Sequence, residues 1–409
     1  MPKHGSSLRS AGLDELHPGL QSFVQDIFAT LPRRDQRTRG ECHLRGLMLE
    51  GHRKSIQSMA AQLPDANEQA LHHFVNGSPW DWRPVRRRVA ERVCAALDPA
   101  VWAIGDRDFP KTGRASVGVH RHSARSLSGI VNCQVGVCMH ALNDTIGCPI
   151  NWRLFIPQTW EHDAQRRAAA HVPDSVRYRP KWLLALDMLD ELSSWQLHPW
   201  VVLVDTPYGE PGPFLKALDR RQLRYVAQLP ATASAIPERP RPAATVRRSW
   251  GQPASPGHEA AVTSLQQLAS TVWPHGLAGD AHDPNGRDVP SYRFSALRGQ
   301  IADASLRCDA SHEGARSELP TRWLLFEWLR DEARPVRYWI SNLPQDAGPS
   351  SLVRIVRLRS HLEQQDRQLR VRLGLDHFEG RSYQGWHHHV TLVSAAQAFL
   401  ILARARRTP

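Results

Sequence analysis

No apolar run in this chain approaches the roughly 20 residues that a membrane-spanning helix needs. The opening stretch Met1-Pro-Lys-His-Gly-Ser-Ser7 lacks the apolar core of a secretory signal, so a cytoplasmic location is expected. Cysteine is scarce, with six among 409 residues. Cys42, Cys94, Cys133, Cys138, Cys148 and Cys308 form no Cys-x2-Cys pair, and Cys133/Cys138 has no matching pair downstream. A zinc site is therefore not expected, and free buried thiols are. The chain also lacks Gly-x-Ser-x-Gly, a Gly-x4-Gly-Lys-Ser/Thr phosphate loop and His-Glu-x2-His. Serine-hydrolase, P-loop and zinc-protease chemistries lose their signatures. No internal repeat is present.

What the chain has is positive charge. Lysine and arginine number 52 against 40 acidic residues, a formal net charge of +12. Such an excess favours a polyanionic partner, nucleic acid first among them; the alternative is a solvated basic surface without a specific partner. Hydrophobic residues make up 41%, enough for two or three folded domains at this length. The 14 tryptophans are mainly core candidates, a few of which could stack on bases.

Residues 1–19 are polar and read as a loose N-terminus. Residues 20–98 carry helical periodicity, as in Phe23, Ile27 and Leu31, and end on a helix with Arg86-Arg87-Arg88, Val89 and Val93. The basic residues of this module either face DNA or form ordinary helix surface. Residues 99–229 read as an α/β core. Gln134–Met139 and Ile150–Phe155 are expected strands, the second alternating. Trp182, Ala185, Leu186, Leu189 and Leu192 mark an amphipathic helix, and Val201–Val204 a strand buried on both faces. Residues 230–320 contain Pro237-Glu-Arg-Pro-Arg-Pro242 and the turn-rich Gly279–Gly286, and read as a partly β insertion. Residues 321–409 complete the core with a hairpin (Trp323–Trp328, Tyr338–Ser341) and two helices, Leu352–Leu373 and His389 to about Arg406. The His387-His388-His389 triplet lies in apolar sequence and is not a tag.

Three acids from distant segments stand where metal-dependent phosphodiester chemistry would place them. Asp106 ends Val-Trp-Ala-Ile-Gly-Asp, with Asp108 as its rival. Asp205 ends the apolar strand, where open α/β sheets hold ligands; a turn or cap role is the alternative. Glu363 sits on a basic helix with Arg359 four residues before and Arg370 seven after, all within about 60° of one face. A metal-binding glutamate flanked by phosphate-binding arginines and a plain Arg–Glu surface pair both account for that spacing. Three converging carboxylates can hold two divalent cations about 4 Å apart.

The chain resembles bacterial insertion-sequence transposases of the DDE superfamily, specifically the insertion-sequence 701 family, over roughly residues 20–400. The resemblance rests on Pro32–Arg37, Leu44–Leu47, Arg53–Ser55 and Ser78–Trp82. It continues in Ser116–His120, Asn132–Gly136, Leu154–Pro157, Gly374–Gly380 and His387–Leu392. It implies an RNase H-like catalytic core with a β-rich insertion and an N-terminal helical domain, in a bacterial, nucleoid-associated protein. It implies Mg²⁺ or Mn²⁺, two ions, and cleavage and strand transfer at terminal inverted repeats. Double-stranded DNA, both element ends and target, would be the partner, with a homodimer as one form of the DNA complex. Carried over, the catalytic and metal-binding acids fall on Asp106, Asp205 and Glu363, and the DNA-phosphate contacts on Arg359 and Arg370.

The chain departs from the family's pattern at four places. Gly105-Asp106-Arg107-Asp108 stands where Asp-Asp-Thr-Gly is usual. Ser360 replaces a tryptophan, Arg370 a lysine, and the aromatic residue usual after the last acid is Asp366 or missing. Arg107 brings a cation beside the first acid. At about 4 Å and an effective dielectric of about 20, that is about 4 kcal/mol against metal binding, unless strand alternation turns the side chain away. The readings that follow are an active transposase, a DNA-binding remnant that has lost cleavage, and a general nuclease indifferent to end sequence.

Overall fold

The computed structural model describes residues 17–49, 51, 54–123, 129–205, 211–238, 262–272, 277–279, 292–303, 306 and 319–405. Most of the N-terminal segment expected to be loose lies outside them, as do Cys308, the proline-rich stretch beyond Glu238 and most of Gly279–Gly286. In chain order the helices are α1 (His17–Ile27), α2 (Arg34–Met48), α3 (Ile56–Gln62), α4 (Glu68–Asn76) and α5 (Trp82–Leu97). Strands β1 (Val101–Pro110), β2 (His120–Ser123), β3 (Ile130–Leu142) and β4 (Gly147–Leu154) follow, then α6 (Ala164–Ala169) and α7 (Lys181–Ser194). Next come β5 (Val201–Val204), α8 (Pro211–Arg220), β6 (Tyr225–Leu229), β7 (Ser234–Pro237), β8 (Thr263–Ser264) and α9 (Leu265–Thr271). The chain continues with β9 (Leu277–Gly279), β10 (Tyr292–Ile301), β11 (Arg322–Leu329), β12 (Arg337–Ser341), α10 (Gly348–Leu373) and α11 (Tyr383–Ala405). The α/β class expected from the sequence is the class observed.

The chain divides into two compact units, residues 1–200 with 358–409, and residues 201–357. The sequence reading places boundaries at 19/20, 98/99, 229/230 and 320/321.

In the first unit, β3 bonds β1 antiparallel along one edge. Along its other edge it bonds β2 at Ile130–Cys133 and β4 at Gly136–Leu142. Helices α5, α7 and α11 pack on this sheet. That covering corrects the expected alternation in β4: seven of its eight residues are buried, because helices take up both faces. The core is organised around α11, which is apolar over most of its circumference and buried from Trp386 to Phe399. It begins at Tyr383, six residues earlier than expected, so all three histidines of the triplet are helical and buried. His387 stacks on Trp82 at 4.6 Å and His388 on Trp80 at 3.7 Å. Ser55, Asn67 and Asp81 cap α3, α4 and α5 with their side chains, which satisfies first-turn N–H groups.

In the second unit, β5 and β6 run parallel, with α8 between them in sequence. From β6 the sheet continues antiparallel through β12, β11, β10, β7 and β8, and β9 also bonds β10. The expected hairpin is β11–β12. Glu327, buried at its turn-side end, accepts from Trp339 Nε1 at 2.9 Å and Arg337 Nη1 at 3.1 Å.

Candidate active site

Strand β1 alternates, and the alternation separates Asp106 from Arg107. Asp106 and Asp108 point to one face, Arg107 and Phe109 to the other. On the first face the Asp106 carboxylate, whose side chain is only 7% exposed, is ion-paired with Lys181 Nζ at the first residue of α7. Lys181 Nζ also lies 5.8 Å from the centre of the Phe155 ring. Asp108, equally buried, has His122 Nε2 at 4.0 Å from its Oδ1. His120, beside it on β2, is pushed below the ordinary imidazole range by burial, against the pull of Gly118 O, with smaller electrostatic contributions from its neighbours.

On the opposite face Arg107 Nε lies 2.8 Å from Asp366 Oδ1 of α10. Arg370, one turn further along α10, donates from Nε to Asp366 Oδ2 at 2.9 Å and from Nη2 to the Asp108 carbonyl at 2.9 Å. Asp366 is therefore shared between two guanidiniums. The Arg107 guanidinium also donates from Nη1 to the Asp106 backbone carbonyl at 2.8 Å, so it pairs with Asp366 while staying beside Asp106.

Glu363 lies on α10 one turn before Asp366. Its side chain is 60% exposed and pairs with Arg359, which is itself buried. The i,i+4 pair expected from spacing is thus formed. Asp205 follows β5 in the second unit and is 8% exposed; residues 206–210, with the Tyr-Gly of its motif, lie outside the described residues. Asp106 and Glu363 belong to the first unit and Asp205 to the second.

By donor type the three acids suit a hard divalent cation, which takes carboxylate oxygens. Among the described residues no three His, Cys, Asp or Glu side chains stand together as a metal-holding group. Asp106 pairs with Lys181 and Glu363 with Arg359.

Sequence reasoning missed Lys181, whose partner is 75 residues away. It treated Asp366 as a mere departure, although its place three residues after Glu363 and four before Arg370 puts all three on one helical stripe. It also grouped Arg86 with surface basic residues. Arg86 is 2% exposed and donates to Asn151 Oδ1 at 3.2 Å, the Trp152 carbonyl at 2.8 Å and Thr391 Oγ1 at 3.3 Å.

Compared with known proteins, residues 26–278 match the family model of the DDE superfamily endonucleases. The chain is 26% identical over 187 residues to the probable transposase for insertion sequence element IS701 of Microchaete diplosiphon. That match covers 45% of this chain, and the chain spans about half of that relative, 46% of its length.

Proposed function

Because the chain belongs to the DDE superfamily endonucleases, with more than half its length matched, we propose that it is a transposase that cuts and joins DNA at the ends of an insertion sequence. The observation that carries this reading is the family match, which spans Asp106 and Asp205 and ends before Glu363. The RNase H-like core belongs to the proposal. The antiparallel β1–β3–β4 meander and the parallel β5–β6 pair support it.

Asp106, Asp205 and Glu363 are the proposed ligands of Mg²⁺ or Mn²⁺, two ions in the working enzyme. The chemistry such ions supply when bound is activation of a water or 3′-hydroxyl oxygen and stabilisation of the leaving oxygen. Asp106 stands on a strand paired with β3 along its whole length, so little backbone freedom is left to lose. Arg359 and Arg370 are the proposed phosphate contacts. Each is bonded to a carboxylate here, Glu363 or Asp366, so DNA engagement requires them to exchange partners. Double-stranded DNA, as element end and as target, is the substrate that the net charge of +12 favours.

The test is cleavage of a DNA fragment carrying the element's inverted repeat, with Mg²⁺. The unaltered chain is expected to nick at the repeat, and Asp205→Asn to abolish nicking while retaining binding. Full cleavage by Asp106→Asn, Asp205→Asn and Glu363→Gln alike would overturn the assignment. The cation pairing of Asp106 and Glu363 favours one second reading, a DNA-binding remnant: salt-sensitive binding of the repeat with no nicking under any divalent ion.

A further inference from the structure

We propose that Lys181 is a positioning residue of the DNA-cutting site: it holds Asp106 while no metal is bound, and turns to a DNA phosphate when Asp106 takes a metal. This rests on the reading of Asp106 as a metal ligand. Lys181 Nζ is ion-paired with Asp106 Oδ2, and the side chains are 22% and 7% exposed. A carboxylate so withdrawn from water needs a counter-charge, and a lysine can supply one and then leave. Its ammonium is a point charge on four flexible carbons, with rotatable donors and no fixed fork.

The position of Lys181 on its helix is the second observation. It is the first residue of α7, and no acidic residue stands in the first turn of that 14-residue helix. A cation at a helix N-terminus opposes the macrodipole, so helix stability does not account for it. The ammonium and the positive helix end together make a place for an anion. The Asp106 carboxylate fills it. Were that carboxylate engaged by a metal, the same positive groups would be left for a phosphate oxygen of the substrate. His122, 4.0 Å from Asp108 on this face of β1, adds a further donor.

The test uses the full chain and Mn²⁺ binding without DNA, read by electron paramagnetic resonance, beside cleavage of the inverted-repeat substrate. Lys181→Met is expected to bind Mn²⁺ about tenfold more tightly, the scale of one lost competing charge-assisted hydrogen bond. It is also expected to cut more slowly at saturating Mn²⁺. Lys181→Arg should restore part of both. A plain structural role predicts weaker or unchanged Mn²⁺ binding, and either result overturns the proposal. Lys181→Gln, which keeps a hydrogen-bond donor, provides a second folded variant if the methionine form melts early. Asp106→Asn separates the two claims. If it loses the Mn²⁺ site while Lys181→Met changes nothing, only the role of Lys181 fails. If it binds Mn²⁺ like the unaltered chain, the reading of Asp106 fails.

Discussion

Arg107 Nε and Asp366 Oδ1 lie 2.8 Å apart, although 259 positions separate them in the chain (366 − 107). Both are departures from the family's usual pattern, and the structure sets them against each other. The contact is an ion pair in which the Nε–H is not aimed as a hydrogen bond. Two changes that look like decay when read separately thus neutralise one another. The pair also fastens α10, the helix of Glu363, to β1, the strand of Asp106.

Asp366 serves both Arg107 and Arg370, so its loss is expected to cost more than the loss of either arginine. Asp366→Asn removes the carboxylate shared by two poorly exposed guanidiniums, with Arg370 keeping Asp376 at 3.6 Å, and should cost about 2 kcal/mol. Arg107→Thr leaves Asp366 with Arg370 and should cost about 1 kcal/mol. The double variant Arg107→Thr/Asp366→Asn should recover about 1 kcal/mol relative to the sum. Urea unfolding of the four proteins measures this, and strict additivity would show the pair to be uncoupled.

Arg86 pins α5 to β4 and α11. Asn151, Trp152 and Thr391 accept from it, and its Nη2 lies 3.2 Å from His387 Nδ1. Arg86→Ala is expected to destabilise the first unit by about 3–5 kcal/mol, since it strands several buried acceptors at once. Neighbouring Arg87→Ala, on the exposed side of the same helix, should cost under about 0.5 kcal/mol. Denaturant titration of the two variants distinguishes a core role from a surface one.

Local pattern made much of this fold legible. Val201–Val204 reads as a buried strand because four apolar residues in a row leave no wet face, and β5 is such a strand. The period of α5 even contained the burial of Arg86. Trp82, Val85, Arg86, Val89, Ala90 and Val93 fall on one face, and the residue type alone argued against it. Asp106 and Asp108 were indistinguishable in sequence because both point the same way from β1. The partners that characterise them, Lys181 and His122, arrive from other elements. Lys181 had no local signal, since a lysine opening a helix has meaning only beside the carboxylate it meets.

Gly136 leaves room for Trp386. A Cβ there would stand 2.9 Å from Trp386 Cζ2 and 3.1 Å from Phe109 Cε2. The strand cannot retreat, because β3 is bonded to β1 and β4 on its two edges at this point. Gly136→Ala is expected to cost about 1–3 kcal/mol through overpacking. Gly113→Ala, with nothing within 4 Å of its added carbon, should be neutral by the same thermal-melting assay.

Stability of the first unit is expected to fall as pH drops from about 6.5 toward about 4. Burial lowers His388 and His389 to about 4 and His43 to about 3, the last also by the like charge of His389. Two carbonyls oppose burial at His388: Val75 O and Trp80 O lie 2.8 Å from its two ring nitrogens, and a neutral ring can donate to only one of them. The unfolded chain takes up protons at these histidines below about pH 6.5 while the folded chain does not. The unfolded state therefore binds more protons in that window, and unfolding free energy decreases by up to about 1.4 kcal/mol per pH unit for each histidine. Above about pH 6.5 the three groups contribute no pH dependence. Carboxylates protonate mainly below this range, so melting temperatures at pH 7.5, 6.5, 5.5 and 5 isolate the histidines. Burial also holds His140 and His387 well below the ordinary imidazole range, so replacing His388 by Asn, which does not titrate, should remove about a fifth of the slope between pH 6 and 5. A slope unchanged by that substitution would show that His388 is protonated in the folded chain and bonds both carbonyls.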